Sequence, residues 1–376
     1  MKKDTLQHTH TIDTPVIHIT EDFSKMSGGL RTVISDLNGH LRQHSVESSI
    51  VTTLSEKDDN VILYPRDWPK GLWDHAGELE SYLKKHTDAI FHIHGIWMYP
   101  QYIASKIAQQ ENVPSVLSPH GMLQPWLWEQ GTLKKRIYFE ILVKKYFQQS
   151  TVIHAITPNE KENLFQEFPH QNIEVIPNSI SYKEIESYNI QKEEKEKYIL
   201  FLGRLHKVKG IDLLIKAFAQ LNAKEMKLKI AGPINEYKET LDGLIKALGV
   251  EAKVEFLGLV SKREKYQLYK NAWVFVLPSY SEVIGMVNLE AGILETPVIT
   301  THQTGIYPEW QENGGMLIDP NIEALKKSLQ EAVSWSESER NERGRKLKAF
   351  IIEHYSWENN VYKWKELYEG VASCRH

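Results

Sequence analysis

The run Ala272-Trp273-Val274-Phe275-Val276-Leu277, closed by Pro278, constrains the fold of this chain more than any other stretch. Six apolar residues stopped by a proline read as a strand covered on both faces, the kind that fills parallel sheets. Small and polar residues follow around Gly285, and then Met286-Val287-Asn288-Leu289-Glu290-Ala291 opens as a helix. Strand, irregular loop and helix put the loop at the carboxyl end of a sheet, where open α/β folds bind ligands. The free N–H groups and partial positive charge of a helix start suit an anion. Glu282 in the loop and Glu290 on the helix frame that place with carboxylates able to hold hydroxyl groups. A sugar carried on a phosphate has both chemistries.

The same alternation recurs along the chain. Strand-like runs stand at 16–20, 50–53, 89–93, 115–118 and 152–156, and again from Tyr198 to Leu202, with helical stretches between several of them. That pattern predicts an α/β fold of doubly wound parallel sheets. A length of 376 residues exceeds one ordinary core and predicts two domains. The polar, charged stretch YNIQKEEKEK, 188–197, marks their boundary. The expected division is 1–190, 191–353, and an aromatic-rich terminal helix over 354–376.

A net charge of −4 gives no electrostatic case for nucleic acid. The single cysteine, Cys374, excludes a disulfide framework and a cysteine-held metal cluster, which fits a reducing cytoplasm. The first fifteen residues are polar with no apolar core, so no signal peptide is expected there, and no run of about eighteen apolar residues predicts a spanning helix.

Two glycines, Gly28 and Gly29, separate the first strand from an amphipathic helix and allow close approach of a ligand, or simply a tight turn. There is no G-x-G and no P-loop motif, so dinucleotide oxidoreductase and P-loop readings find no support. His92, His94 and His120 invite a metal reading, yet no cysteine or acidic residue lies at ligand spacing. No metal and no cofactor are expected, and His92 and His94 read as ordinary buried histidines. In GRLHKVKG, Arg204 and Lys209 stand at a strand end and helix start, where a diphosphate would be neutralised. The segment WLWEQGTLKKRIYFEILVKKYFQQ, 126–149, has the pattern of a basic amphipathic helix. It suits an anionic membrane surface, over 133–147, as well as a packed helix with a solvated basic face.

Taken together, PSYSE..GMV.LEA with Pro297-Val298-Ile299, GRLHKVKG, the Ala231-Gly232-Pro233 turn, PHGML and TGIYPE resemble, in matching order, the retaining GT-B glycosyltransferases of group 1, or family 4. The resemblance implies two Rossmann-like domains with a cleft and a C-terminal helix crossing back to the first domain. It implies that Glu282 touches the transferred sugar and that Glu290 holds the ribose hydroxyls. Arg204 and Lys209 would bind the donor diphosphate, His120 would lie against the donor sugar, and Gly28 and Gly29 would face the phosphates and the acceptor. Gly203, Gly232, Gly285, Met286 and Val287 complete the implied donor-binding set. Two positions depart from the family pattern: Ile284 stands where an aromatic is usual, and Ser179 where glycine is.

The implied activity is retaining transfer of a hexosyl group from a UDP- or GDP-linked sugar to a hydroxyl of a saccharide or lipid-linked saccharide. No D-x-D pair is present to bridge the diphosphate through a metal. Rivals are a phosphorylase or epimerase on the same fold, and a catalytically weak nucleotide-sugar-binding component of a polysaccharide assembly complex.

Overall fold

The computed structural model describes residues 12–56, 58–67, 73–124, 136–193, 196–223 and 225–374. The chain forms two units, one of residues 1–177 with 360–376 and one of residues 178–359.

In the first unit the short apolar runs become β1 (Val16–Thr20), β2 (Ser48–Thr52), β3 (Val61–Leu63), β4 (Ile90–His94), β5 (Ser115–Ser118), β6 (Val152–Ala155) and β7 (Ile173–Val175). They form one parallel sheet in the order β3-β2-β1-β4-β5-β6-β7. Strands β1, β4, β5 and β6 are buried along their whole length, which is why they read as continuous apolar runs. Edge strand β3 leaves Ile62 and Leu63 exposed and carries no such signal. Helices α1 (Gly29–Gln43), α2 (Tyr99–Glu111) and α3 (Pro158–Glu167) follow β1, β4 and β6. Helix α1 buries Ile34, Leu37 and Leu41, three or four residues apart on one stripe.

The last helix, Trp357–Ser373, has residues from 360 onward in this unit. Val361, Trp364, Tyr368 and Val371 share its buried side. Trp364 lies 5.3 Å from the His92 ring and 4.5 Å from the His154 ring.

The second unit repeats the pattern with β8 (Tyr198–Leu202), β9 (Lys227–Ala231), β10 (Val254–Gly258), β11 (Val274–Leu277), β12 (Val298–Thr301) and β13 (Met316–Ile318). Their parallel order is β10-β9-β8-β11-β12-β13. The helices that bear on function are α4 (Ile211–Ala219), α5 (Lys262–Asn271), α6 (Met286–Ile293) and α7 (Glu337–Tyr355). A capping box starts α5, with Ser261 and Glu264 each satisfying the other's backbone N–H.

The first unit boundary, after Pro177, lies about a dozen residues ahead of the expected linker, and the second, after Asn359, lies a few residues beyond the expected one. Charge makes 188–197 look like a linker, but the residues before it are anchored to the second unit. Ile185 is buried, Glu186 pairs with Lys348 at 2.8 Å, and the Tyr188 and Tyr266 rings lie 5.0 Å apart. At the other end, buried Tyr355 accepts the Tyr307 N–H at 2.9 Å, so 354–359 also stays with the second unit.

Candidate functional site

Strand order in the second sheet reverses at β8, whose neighbours are β9 on one side and β11 on the other. Ligands of open α/β sheets bind outside the carboxyl ends of the strands at such a point. The segments leaving β8 and β11 are the two basic and acidic loops picked out in the sequence. After β8, Gly203 and Arg204 lead into a 3-10 turn over Lys207–Lys209, then Gly210 and α4. After β11, Pro278 to Gly285 lead into α6.

The two loops are fastened to each other. Tyr280 N–H donates to the Val208 carbonyl at 2.8 Å. At Gly210 (φ 66°) a Cβ would lie 2.1 Å from the Pro278 carbonyl oxygen, so only glycine permits the approach. Gly232, after β9, is equally tight: at φ 152° its Cβ would stand 1.9 Å from the Gly203 carbonyl oxygen. These glycines hold the loop backbones together, a role read from their surroundings and not from the ligand.

Lys209 donates to Glu282 Oε1 in a short ion pair whose side chains are 17% and 16% exposed. Sequence reasoning gave these two residues separate targets, diphosphate and sugar, and the structure makes each the other's partner. Glu282 N–H also donates to the Gln303 carbonyl at 3.0 Å, which fixes the loop. Arg204 is exposed and has no partner among the described residues. The loop pair therefore offers one neutralised lysine and one open guanidinium.

Glu290, in the second turn of α6, is held by two residues that the sequence did not single out. Lys265 Nζ donates to its Oε1 at 2.6 Å and the Tyr269 hydroxyl donates to its Oε2 at 3.1 Å. Lys265 and Tyr269 are four apart on α5 and so share a face. Burial, then the charge of Glu290, pushes the Tyr269 phenol well above its ordinary range, so it stays a donor. Gly285 caps α6, and a Cβ there would meet Asn288 Nδ2 at 2.6 Å and Leu277 Cδ2 at 2.8 Å. Met286 and Val287 are half-buried at the helix start, while Ile284 is buried.

In the first unit, Gly28 has φ 62° at the start of α1, and Gly29 has open space where a Cβ would be. His120 follows β5 with φ 52°, a left-handed conformation uncommon for a residue with a side chain, and Gly121 follows at φ 75°. Such outliers persist where the surroundings hold them. Here Gly121 N–H donates to Glu160 Oε1 at 2.6 Å, and Ile156 N–H donates to Glu160 Oε2 at 2.7 Å. Glu160 is 4% exposed, and burial raises its pKa. Its signal was available in Thr157-Pro158-Asn159-Glu160, a helix start in which the Thr157 hydroxyl accepts the Glu160 N–H. Glu21, just after β1, is also raised by burial and accepts from Gln101, which bonds the His94 carbonyl at 2.7 Å as well.

His92, His94 and His120 belong to a larger buried set with His18 on β1 and His154 on β6. One chain of hydrogen bonds runs Asn38–Ser48–His18–His94–His120, with contacts of 2.7, 3.1, 3.0 and 2.9 Å. A second runs Tyr368–His92–Ser118–His154–Ile176 carbonyl, with contacts of 2.7, 2.7, 2.8 and 2.8 Å. Burial holds the His18 and His120 pKa values down to about 3 and that of His154 to about 4, and with the neighbouring histidines it lowers those of His92 and His94 well below the usual imidazole range. All five are neutral at ordinary pH. The ring nitrogens of His18, His92 and His94 come within 4.8 Å of one another, a spacing a metal ion could use. Both ring nitrogens of each of these three are already in the hydrogen bonds above, so an ion would have to break them.

Of the basic segment, Leu133, Lys134 and Lys135 lie outside the described residues. In the remainder, Phe139, Val143 and Phe147 are buried, while Ile137 and Ile141 are 50% and 61% exposed. A π-helical turn spans Phe139–Val143 within this segment. Lys144 is paired with Glu140 at 2.8 Å. No described helix is long and apolar enough to cross a membrane.

Two family models match consecutive parts of the chain. One described as Glycosyltransferase Family 4 covers residues 27–184, and one described as Glycosyl transferases group 1 covers residues 183–348. An uncharacterized glycosyltransferase of Methanocaldococcus jannaschii is 33% identical over 239 residues, 57% of this chain and 60% of that protein. The O-antigen chain mannosyltransferase of Salmonella typhimurium is 28% identical over 213 residues, 56% of this chain and 58% of that protein. The matches thus span about three fifths of those relatives' length. Among solved structures, Anabaena HepE in complex with UDP-glucose superposes with a TM-score of 0.73 over 95% of this chain and 99% of that one, at 16% identity.

Proposed function

This chain belongs to the group 1 glycosyltransferases and has their GT-B fold, and on that premise we propose that it moves a hexosyl group from a UDP- or GDP-linked sugar to a hydroxyl of a saccharide or lipid-linked saccharide. The observation that carries the reading is the pair of interlocked loops at the switch point of the second sheet. They carry Arg204, Lys209, Glu282 and the start of α6 on the two segments that leave β8 and β11, with Lys209 and Glu282 in contact and Glu290 on α6. Arg204, Lys209 and the N–H groups of Met286 and Val287 stabilise the charge that grows on the departing diphosphate. Each charge-assisted hydrogen bond of this kind contributes about 1.5–3 kcal/mol.

The free ion pair implies an exchange on binding. When the diphosphate takes Lys209, Glu282 loses its partner and becomes an acceptor for hydroxyl groups of the transferred sugar. Glu290 holds the ribose, its orientation set by Lys265 and Tyr269. His120, in the first unit, is neutral. Retention of anomeric configuration follows from the family reading, with the leaving phosphate as base for the acceptor hydroxyl. The reaction needs no metal or cofactor, since cationic side chains and helix N–H groups supply the neutralising charge. The site of action is the cytoplasm, with the basic segment resting on the inner membrane surface.

A thermal-shift screen against UDP, GDP, ADP and their sugars tests the donor class. A ligand at a hundred times its Kd adds about 2.7 kcal/mol of stability. The cognate nucleotide should stand out, and transfer from its sugar should persist in excess EDTA. A flat screen would overturn the donor assignment. Loss of transfer in EDTA, restored by Mn²⁺ or Mg²⁺, would overturn metal independence.

A further inference from the structure

The second unit carries a groove of about 390 Å³ that the donor reading does not use. None of Arg204, Lys209, Glu282 and Glu290 lines it. Its walls come from α4, from the helix Tyr237–Ala247 and from the loops that leave β8 and β11. The volume lies in the range of small-molecule sites. Leu241 and Leu244, three apart on one face of the helix, supply apolar surface. Two tyrosines border the same space. Tyr237 is half-buried at the first turn of the helix, and Tyr280 in the loop after β11 is 43% exposed.

The polar groups of the groove are uncommitted. Neither phenol hydroxyl, nor the Lys207 ammonium, has a hydrogen-bond partner among the described residues. Asp212 gives Oδ2 to Lys216 at 3.1 Å and keeps Oδ1 free of any described partner. Burial, then the charge of Asp212, raises the pKa of both phenols, so both rings stand near this carboxylate and stay protonated. Apolar and aromatic surface therefore meets open donors and an open acceptor within one small space. A sugar ring offers the complement, with C–H groups on its face and hydroxyls that both donate and accept. A phosphate or a uronic acid would meet the Asp212 charge at close range, which disfavours an anion.

We propose that this groove binds a neutral saccharide, with the Tyr237 and Tyr280 rings against the C–H face of one sugar unit and Asp212 accepting from its hydroxyls. The choice of ligand rests on the saccharide acceptor proposed above. The groove itself belongs wholly to the second unit, and its lysines and phenols donate to the sugar oxygens that Asp212 does not reach.

An array of neutral, acidic and phosphorylated glycans, read with the full chain, tests the proposal, followed by calorimetry with the neutral oligosaccharide bound best. Tyr280 is two residues from Glu282, so the decisive variants are Tyr237→Ala and Asp212→Asn. Each should weaken glycan binding by on the order of tenfold, the worth of one ring contact or hydrogen bond, with free-nucleotide affinity unchanged. Tyr237→Phe keeps the ring and should lose less than Tyr237→Ala. Arg204→Ala should bind the glycan like the parent. Failure to bind any neutral glycan, a preference for acidic or phosphorylated ones, or equal binding by the parent, Tyr237→Ala and Asp212→Asn would overturn the proposal. A flat nucleotide screen beside glycan binding that Tyr237→Ala weakens would overturn the donor reading and leave the groove standing.

Discussion

At the scale of single residues, Arg204 and Lys209 are not equivalent, although the sequence offers them as a pair. Arg204 is open, whereas Lys209 is engaged with Glu282. Arg204→Ala is expected to slow transfer by on the order of a hundredfold. Lys209→Ala is expected to do as much while also freeing Glu282, which then repels the diphosphate. Steady-state kinetics with the cognate donor check both, and parent rates in either variant would remove that residue from the site. The motif residues were legible because each sits in a short stretch whose order encodes strand, loop and helix. The residues that hold them were not. Lys265 and Tyr269 reach Glu290 from a helix whose own sequence gives no hint of a ligand. His18 and Glu160 act across strands, and parallel register, which pairs His18 with His92 and His94 with Ser118, is a tertiary fact. The spacing of His92 and His94 says only that they share a face.

At the scale of elements, strands buried along their length announced themselves, while edge strand β3, exposed at Ile62 and Leu63, did not. The segment at 136–149 shows a different limit. Its apolar residues suggested one amphipathic stripe, but Phe139, Val143 and Phe147 are buried while Ile137 and Ile141 are exposed, with a π-helical turn over Phe139–Val143. Those two exposed side chains beside Lys144 and Lys145 keep the membrane proposal physically sensible. Each lysine near an anionic surface contributes about 1 kcal/mol, screened by salt. Lys144→Glu with Lys145→Glu should release the protein from phosphatidylserine vesicles in sedimentation. Equal sedimentation of parent and variant would leave this helix as packing alone.

At the scale of the whole molecule, the buried histidines tie stability to pH. Their folded pKa values lie below the ordinary 6.5, to about 3 for His18 and His120 and about 4 for His154. Below pH 6.5 the unfolded chain binds protons that the folded chain refuses, so stability falls as pH drops through that window, by up to about 1.4 kcal/mol per pH unit for each histidine. Glu160, Glu21 and Asp74 work in the opposite sense, because their raised pKa values let the folded state keep protons that the unfolded chain has lost. Five histidines outweigh these three carboxyls, and the urea midpoint should decline steadily from pH 7 to pH 5. A level midpoint over that range would mean that the histidines are charged or exposed. The central claim, that the second unit's loops hold a nucleotide diphosphate sugar with distinct duties for two glutamates, is tested by calorimetry with the free nucleotide beside turnover of Glu282→Gln and Glu290→Gln. Glu290→Gln should weaken nucleotide and donor alike, as loss of uniform binding does. Glu282→Gln should cut transfer while free-nucleotide affinity holds or rises, because Lys209 no longer has a carboxylate to leave. If Glu282→Gln loses nucleotide affinity as badly as Glu290→Gln, the loop does not wrap the transferred sugar and the central claim is wrong.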